Sequence, residues 1–160
     1  MRHFFGIEDD EFIRGDVPMT KREIRMAVLN EARVTETSKV LDVGAGTGSI
    51  SIEAALGAPE GMADLPPLDA VIIGGSAGGM GAILDETERL LKPGGRLVVT
   101  AVTVETGYTI LKELKGRPFT YEGYQLQVNR FRKAGPYHLL NPLSPIFIVT
   151  AVKTATTEEV

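Results

Sequence analysis

A chain of 160 residues with 43% hydrophobic content has the size and apolar content of one globular domain. Its 17 basic and 21 acidic residues give a net charge of −4, which excludes a general basic footprint for nucleic acid and leaves only a local basic patch open. The absence of cysteine excludes disulfides, thiolate catalysis and cysteine metal sites, and the two histidines, His3 and His138, have no ligand spacing around them. No apolar run approaches the ~20 residues needed to span a bilayer. Residues 1–10 are charged and lack the apolar core of a signal peptide. The expectation is a soluble cytoplasmic protein with no membrane or nucleic-acid partner and no bound metal.

Residues 1–19 read as an irregular arm, punctuated by Gly6, Gly15 and Pro18 and carrying an acidic run from Glu8 to Glu11. Thr20-Lys21-Arg22-Glu23 then fits a capping box, with Thr20 as N-cap and Glu23 at the third helical position. A helix to about Arg33 is predicted, burying Ile24, Ala27 and Val28. Its first turn carries Lys21, Arg22 and Arg25, which the helix dipole disfavours. They serve either to contact an anion or as a solvated charged face.

The next stretch organises the chain. Val40-Leu41-Asp42-Val43 is a short apolar run that contains an acid and breaks into glycines at alternate positions, Gly44, Gly46 and Gly48. Thr47 and Ser49 lead into a predicted helix over 50–56. Strand, tight turn and helix N-terminus in this order bring backbone N–H groups against a ligand, because glycine lacks the Cβ that would block approach. The spacing is G-x-G-x-G, whereas a dinucleotide turn has G-x-G-x-x-G; Ser49 stands where that last glycine would be. This weighs against a nicotinamide oxidoreductase. A glycine-rich turn without a ligand is the alternative.

A linker over 57–67 holds three prolines, and 68–73 is near-continuously apolar, as in a buried parallel strand. A second glycine cluster, 74–79, follows at the strand end where open α/β sheets bind ligands. A helix over 81–91, with Ile83, Leu84, Thr87, Leu90 and Leu91 on one face, stops at Lys92-Pro93-Gly94-Gly95. A strand over 96–102 and a helix over 105–115, facing inward with Tyr108, Leu111 and Leu114, come next. Residues 119–130 alternate as a strand and 146–152 form another, joined by a loop with Gly135, Pro136, Pro142 and Pro145. With no helix between them, these two should pair antiparallel. The expected fold is α/β: a mostly parallel sheet ending in an antiparallel hairpin, one domain over 1–153 with a frayed tail at 154–160.

The nine residues from Val40 to Gly48 resemble the first motif of Rossmann-like S-adenosylmethionine (SAM) dependent methyltransferases. Three further stretches narrow this: 12–25 with its Pro18-Met19-Thr20-Lys21-Arg22-Glu23 block, Asp69 to Ser76, and Val99 to Thr106. Together they resemble the decarboxylating cobalt-precorrin (or precorrin) C15-methyltransferases of cobalamin biosynthesis, over residues 6 to about 153. The block at 18–23 is far more specific than the glycine motif. The resemblance implies SAM as cofactor, a tetrapyrrole substrate methylated at C15, loss of carbon dioxide from the C12 acetate, and a homotetramer. It adds Thr20, Ala45, Thr47 and Ala58 as cofactor contacts beside Gly44, Gly46 and Gly48. Asp42 either orients the turn, accepts from the methionine ammonium of SAM, or caps local N–H groups.

A macrocycle bearing many carboxylates calls for basic partners and a wide, partly apolar mouth. The candidates are Arg14, Lys21, Arg22 and Arg25 near the arm and Arg130, Arg132 and Lys133 late in the chain. Each also reads as a solvated surface charge. Gly74, Gly75 and Ser76 lie on the substrate side of the second glycine cluster. Ser76, Thr103, Glu105 and His138 are candidate proton carriers, although the macrocycle can itself accept the electrons of decarboxylation.

One departure from the family matters. A complete methyltransferase sheet has two strands between the first helix and the strand at Ala70, and the second of the sheet ends in an acid that holds the SAM ribose. Here Leu56 runs directly into Gly57-Ala58-Pro59-Glu60, so at least ~30 residues, one strand–helix–strand unit, are missing. Direct joining would need a left-handed crossover, found in only about 2% of cases. Three arrangements remain: the unit exists outside this numbering, the chain is shortened, or the sheet is rearranged with SAM binding impaired. The first is expected, with a spatial break between about Leu56 and Gly57. Two other functions stay open, a methyltransferase of another small acceptor and a non-enzymatic remnant that only oligomerises.

Overall fold

The computed structural model describes residues 6–12, 19–44, 66–74 and 79–155. A 3-10 turn, Asp9–Glu11, precedes helix α1, Arg22–Ala32. Strands β1 (Val40–Val43) and β2 (Leu68–Gly74) follow, then helix α2 (Met80–Leu90), strand β3 (Leu91–Ala101) and helix α3 (Val104–Leu114). Four strands close the chain: β4 (Phe119–Leu126), β5 (Asn129–Ala134), β6 (Tyr137–Pro142) and β7 (Ile146–Lys153).

The main sheet has five strands in the order β1-β2-β3-β7-β4. β1, β2 and β3 run parallel, and β7 is antiparallel to both β3 and β4. The sheet is the expected α/β type, and the pairing of 119–126 with 146–153 is the expected antiparallel pair. Val71, Ile72, Ile73, Leu97 and Val98 have no exposed surface, because helices cover both faces of the central strands. On one face Ile24, Val28, Leu29 and Ala32 of α1 meet Ala70, Ile72, Val98 and Ile148. On the other, Met80, Leu84 and Leu90 of α2 and Ile110 and Leu114 of α3 meet Val71, Ile73, Leu97 and Val99. β2 pairs directly with β1, so the strand normally fourth in a methyltransferase sheet is present beside the first. The Leu56–Gly57 step lies outside the described residues.

Four local expectations are corrected. The capping box at α1 does not form: the helix begins at Arg22, Lys21 makes no side-chain cap, and the Arg22 N–H is taken at 2.9 Å by the Asp9 carboxylate from the 3-10 turn. Glu23 is drawn instead to Arg130. Helix α3 buries Leu114 as predicted, but beside Ile110 rather than with Tyr108 and Leu111, which are exposed. It is apolar on two sides, and Gly107, whose Cβ would lie 3.7 Å from the Phe147 ring, sits on the side that packs against β7.

The predicted strand 119–130 is two strands, broken at Gln127–Val128, and the predicted loop after it contains β6. β5 and β6 form a separate two-stranded sheet in which Ala134 faces Tyr137 across Gly135-Pro136. Gly135 has φ +59°, which a two-residue hairpin loop with glycine first demands. The prolines concealed this strand because each removes a ladder donor. Finally, β3 begins at Leu91 rather than Arg96, with a register shift against β2 between Leu68 and Ala70.

Candidate active site

The carboxyl ends of β1 and β2 carry Gly44 and Gly74, the first glycines of the two clusters read in the sequence. Gly44 follows β1 with φ +78°, a left-handed conformation that a side chain resists. Gly74 ends β2, and a Cβ there would lie 3.7 Å from Thr100 Oγ1 and 4.0 Å from the Gly44 carbonyl. Gly44 and Gly74 therefore lie side by side at the carboxyl ends of adjacent parallel strands. Asp42 alternates with Leu41 and Val43, which pack on the α2–α3 side, and so shares with Val40 the side on which α1 lies. Of the predicted cofactor residues, Thr20, Asp42 and Gly44 are described; Ala45, Gly46, Thr47, Gly48 and Ala58 lie outside the described residues, as do Arg14, Gly75 and Ser76 of the predicted substrate set.

Helix α1 runs with its N-terminus at this same end of the sheet. Its last turn is tied to the opposite end, where Arg96 at the start of the parallel run of β3 donates to the Glu31 carbonyl. Thr20 and Lys21 are thus brought to the end that carries Gly44 and Gly74. A charged cluster holds them. Arg25, without exposed surface, donates from Nη1 to Asp9 Oδ1 at 2.8 Å and to the Thr20 carbonyl at 2.6 Å, and from Nη2 to the Ile7 carbonyl. Its guanidinium carbon also lies 4.6 Å from the centre of the Phe12 ring, a cation–π contact.

Arg130 of β5 grips Glu23 with two bonds, Nε to Oε1 at 3.0 Å and Nη2 to Oε2 at 2.5 Å, and Nη2 also reaches Asp9 Oδ2 at 3.0 Å. Arg22 pairs with Glu8. Burial alone would raise the Asp9 carboxyl, but hydrogen bonds from Arg25, Arg130 and the Arg22 N–H outweigh it and hold the group below the usual carboxylate range. The Arg130 guanidinium likewise holds Glu23 low, against a smaller effect of burial. Three of the cations predicted to meet substrate, Arg22, Arg25 and Arg130, are therefore bound to acids of this chain. Lys21 has no ion pair among the described residues.

Asp9, the hub of the cluster, was not singled out in the sequence. It was legible only as one of an acidic run; nothing local shows that a turn would return it to a helix thirteen residues on. Among the predicted proton carriers, Thr103 is spent as the N-cap of α3, accepting from the Thr106 N–H at 3.2 Å. Glu105 is exposed, and exposed His138 sits opposite Lys133 on the hairpin. A polar cleft of about 430 Å³ lies at the other end of the sheet, lined by Arg33, Asp69, Lys92 and Arg96 among others, away from Gly44 and Gly74.

The family model described as precorrin methyltransferase domain matches residues 11–57 and 54–153. The chain belongs to this family. As a precorrin methyltransferase domain it is 32% identical to the cobalt-precorrin-6B C(15)-methyltransferase (decarboxylating) of Salmonella typhimurium, over 92% of this chain and 96% of that one. It is 31% identical to a probable enzyme of the same name from Pyrobaculum aerophilum, over 91% and 95%. Its fold superposes on a solved structure named precorrin-6y C5,15-methyltransferase from Geobacter metallireducens with a TM-score of 0.85 and 28% identity, covering 95% of this chain and all of that one.

Two details of the match bear on the missing unit. The family model fits as two segments, 11–57 and 54–153, that meet where the sequence implies a missing strand–helix–strand unit. The alignment to the Pyrobaculum relative runs over 186 positions, more than the 160 residues of this precorrin methyltransferase domain, so that relative carries residues this chain lacks inside the matched span.

Proposed function

We propose that this protein is a SAM-dependent methyltransferase that methylates C15 of a cobalt-precorrin or precorrin tetrapyrrole and removes carbon dioxide from the C12 acetate, as a cytoplasmic enzyme of cobalamin biosynthesis. The observation that carries this is the match over more than nine-tenths of the chain to relatives named for C15 methylation with decarboxylation.

The geometry suits the cofactor. The backbone at Gly44 is left-handed and unencumbered by a side chain, and it lies beside Gly74 at the ligand end of the sheet. SAM brings its own activated methyl group on a sulfonium, so the protein is asked for orientation rather than a nucleophile. Orientation alone can supply roughly 7–11 kcal/mol. Gly44 would let the backbone approach, Thr20 would add a contact from the arm, and Asp42 would face the α1 side of the turn. Lys21 is the described cation at this end best placed to accept a substrate carboxylate, since Arg22, Arg25 and Arg130 are paired. A homotetramer is part of this reading, supported by Phe131, Tyr137 and Leu140 on the hairpin, which are 79%, 70% and 63% exposed.

Turnover of cobalt-precorrin-6B with methyl-labelled SAM tests the reading: label should enter the macrocycle and carbon dioxide should be released. No transfer would overturn it. The shortened connection between β1 and β2 favours a second reading, a remnant with impaired cofactor binding. Calorimetry with S-adenosylhomocysteine, the demethylated product, separates the two, because the remnant binds none.

A further inference from the structure

Among the described residues β5 and β6 pair only with each other, so no ladder there fixes this hairpin to the main sheet. Arg130 provides a tie of another kind. Its bonds lead to Asp9 at 3.0 Å, from Asp9 to Arg25 at 2.8 Å, and from Arg25 to the Thr20 carbonyl at 2.6 Å. Each step carries at least one full charge, and such bonds are about twice as strong as neutral ones. Arg25 has no exposed surface and Asp9 is 8% exposed, so water has little access to the middle of this relay. Glu23 holds the far side of Arg130 with two bonds, which fixes the plane of the guanidinium as well as its position.

Within the cluster Glu8, Asp9 and Glu23 face Arg22, Arg25 and Arg130, so each of these three arginines is already engaged by an acid of this chain. We infer that Arg130 is a positioning residue rather than a substrate-binding one: from the hairpin it holds Asp9, through Asp9 it holds Arg25, and through Arg25 it sets the backbone of Thr20 and Lys21 at the end of the sheet that carries Gly44. The inference rests on the methyltransferase reading for the identity of what binds at that end.

The test uses the full chain and S-adenosylhomocysteine without substrate, at a temperature where circular dichroism shows every variant folded. Coupling between sites usually amounts to 5–150-fold in affinity. Arg130→Gln should weaken S-adenosylhomocysteine about tenfold, and Asp9→Asn, which leaves Arg130 in place, should weaken it comparably. Arg130→Lys should recover part of the loss, whereas the exchanged pair Arg130→Glu with Glu23→Arg should recover less, because a carboxylate at position 130 cannot donate to Asp9. A purely structural role would lower the melting temperature and leave the dissociation constant of the folded protein unchanged, which overturns the inference. It is also overturned if Arg130→Gln raises the KM for tetrapyrrole while the S-adenosylhomocysteine affinity stays at the wild-type value. Amide exchange separates this from failure of the methyltransferase reading. If wild type binds no S-adenosylhomocysteine, that reading falls, and faster exchange at residues 7–9 and 19–21 in Arg130→Gln still supports the relay, whereas unchanged exchange there overturns it.

Discussion

Replacing Arg25 by methionine keeps much of the side-chain volume and removes the charge. Arg25 is completely buried, and its partner Asp9 has a side chain only 10% exposed. Breaking a buried pair by deleting one member commonly costs 3–5 kcal/mol, because the other charge is left uncompensated. Here Asp9 keeps Arg130 and the Arg22 N–H, which pulls the expectation to the lower end. Loss of donors to the Thr20 and Ile7 carbonyls and of the Phe12 contact pushes it back up. The balance is about 3–4 kcal/mol. For a domain of this size 1 kcal/mol shifts the melting temperature by roughly 2–4 °C, so a fall of about 6–16 °C is expected. Thermal and urea unfolding would measure it, with Asp9→Asn and the double variant closing a cycle. A coupling above about 1 kcal/mol is expected for such close charges. If Arg25→Met unfolds within about 1 kcal/mol of wild type and loses substrate affinity instead, the residue is an external anion contact and the account of the cluster is wrong.

Three further outcomes are expected. Lys21→Gln should raise the KM for a tetrapyrrole substrate about tenfold, the worth of one charge-assisted hydrogen bond, with the melting temperature unchanged; steady-state kinetics and a melt decide it. Gly95→Ala should destabilise by about 1–3 kcal/mol in urea unfolding, because its Cβ would lie 2.8 Å from the Lys92 carbonyl and 3.0 Å from Leu91 Cδ2 where β3 shifts register. Asp9 and Glu23 both have lowered folded pKa values, so their stabilisation is complete above the unfolded carboxylate range near 4 and is lost as pH falls through the folded values. Proteolysis of the arm should therefore be slow at pH 7 and accelerate below about pH 4, and Arg130→Gln should move the onset to higher pH.

The legible parts of this fold were those where one local pattern decides. Residues 68–73 announce a buried strand because every alternative would leave a run such as Val71-Ile72-Ile73 in water. The glycine turn was legible for the same reason, since Gly44 occupies a conformation few other residues tolerate. The capping of α1 was not: Thr20 and Asp9 both offer oxygen to the helix start, and the carboxylate arrives through a turn that tertiary structure alone brings near. The inward face of α3 was ambiguous because Val104, Tyr108 and Leu111 make one apolar stripe and Ile110 and Leu114 another. The roles of the arginines were hidden most completely. Their charge is visible in the sequence, whereas their partners Asp9 and Glu23 lie up to 121 residues away.

The place of β7 has a consequence in time. It is made after β4, yet it sits between β3 and β4, pairing with both. A ribosome adding about 5–20 residues per second completes β4 well over a second before β7 is finished. Through that interval the edge of β3 opposite β2 has no strand beside it, and neither does the edge of β4 that β7 will cover. Open edges of this kind recruit strands from other chains. The nascent chain therefore passes through an aggregation-prone state between the making of β4 and that of β7, and a chaperone that shields strand edges would raise its yield more than one that acts on the first helix.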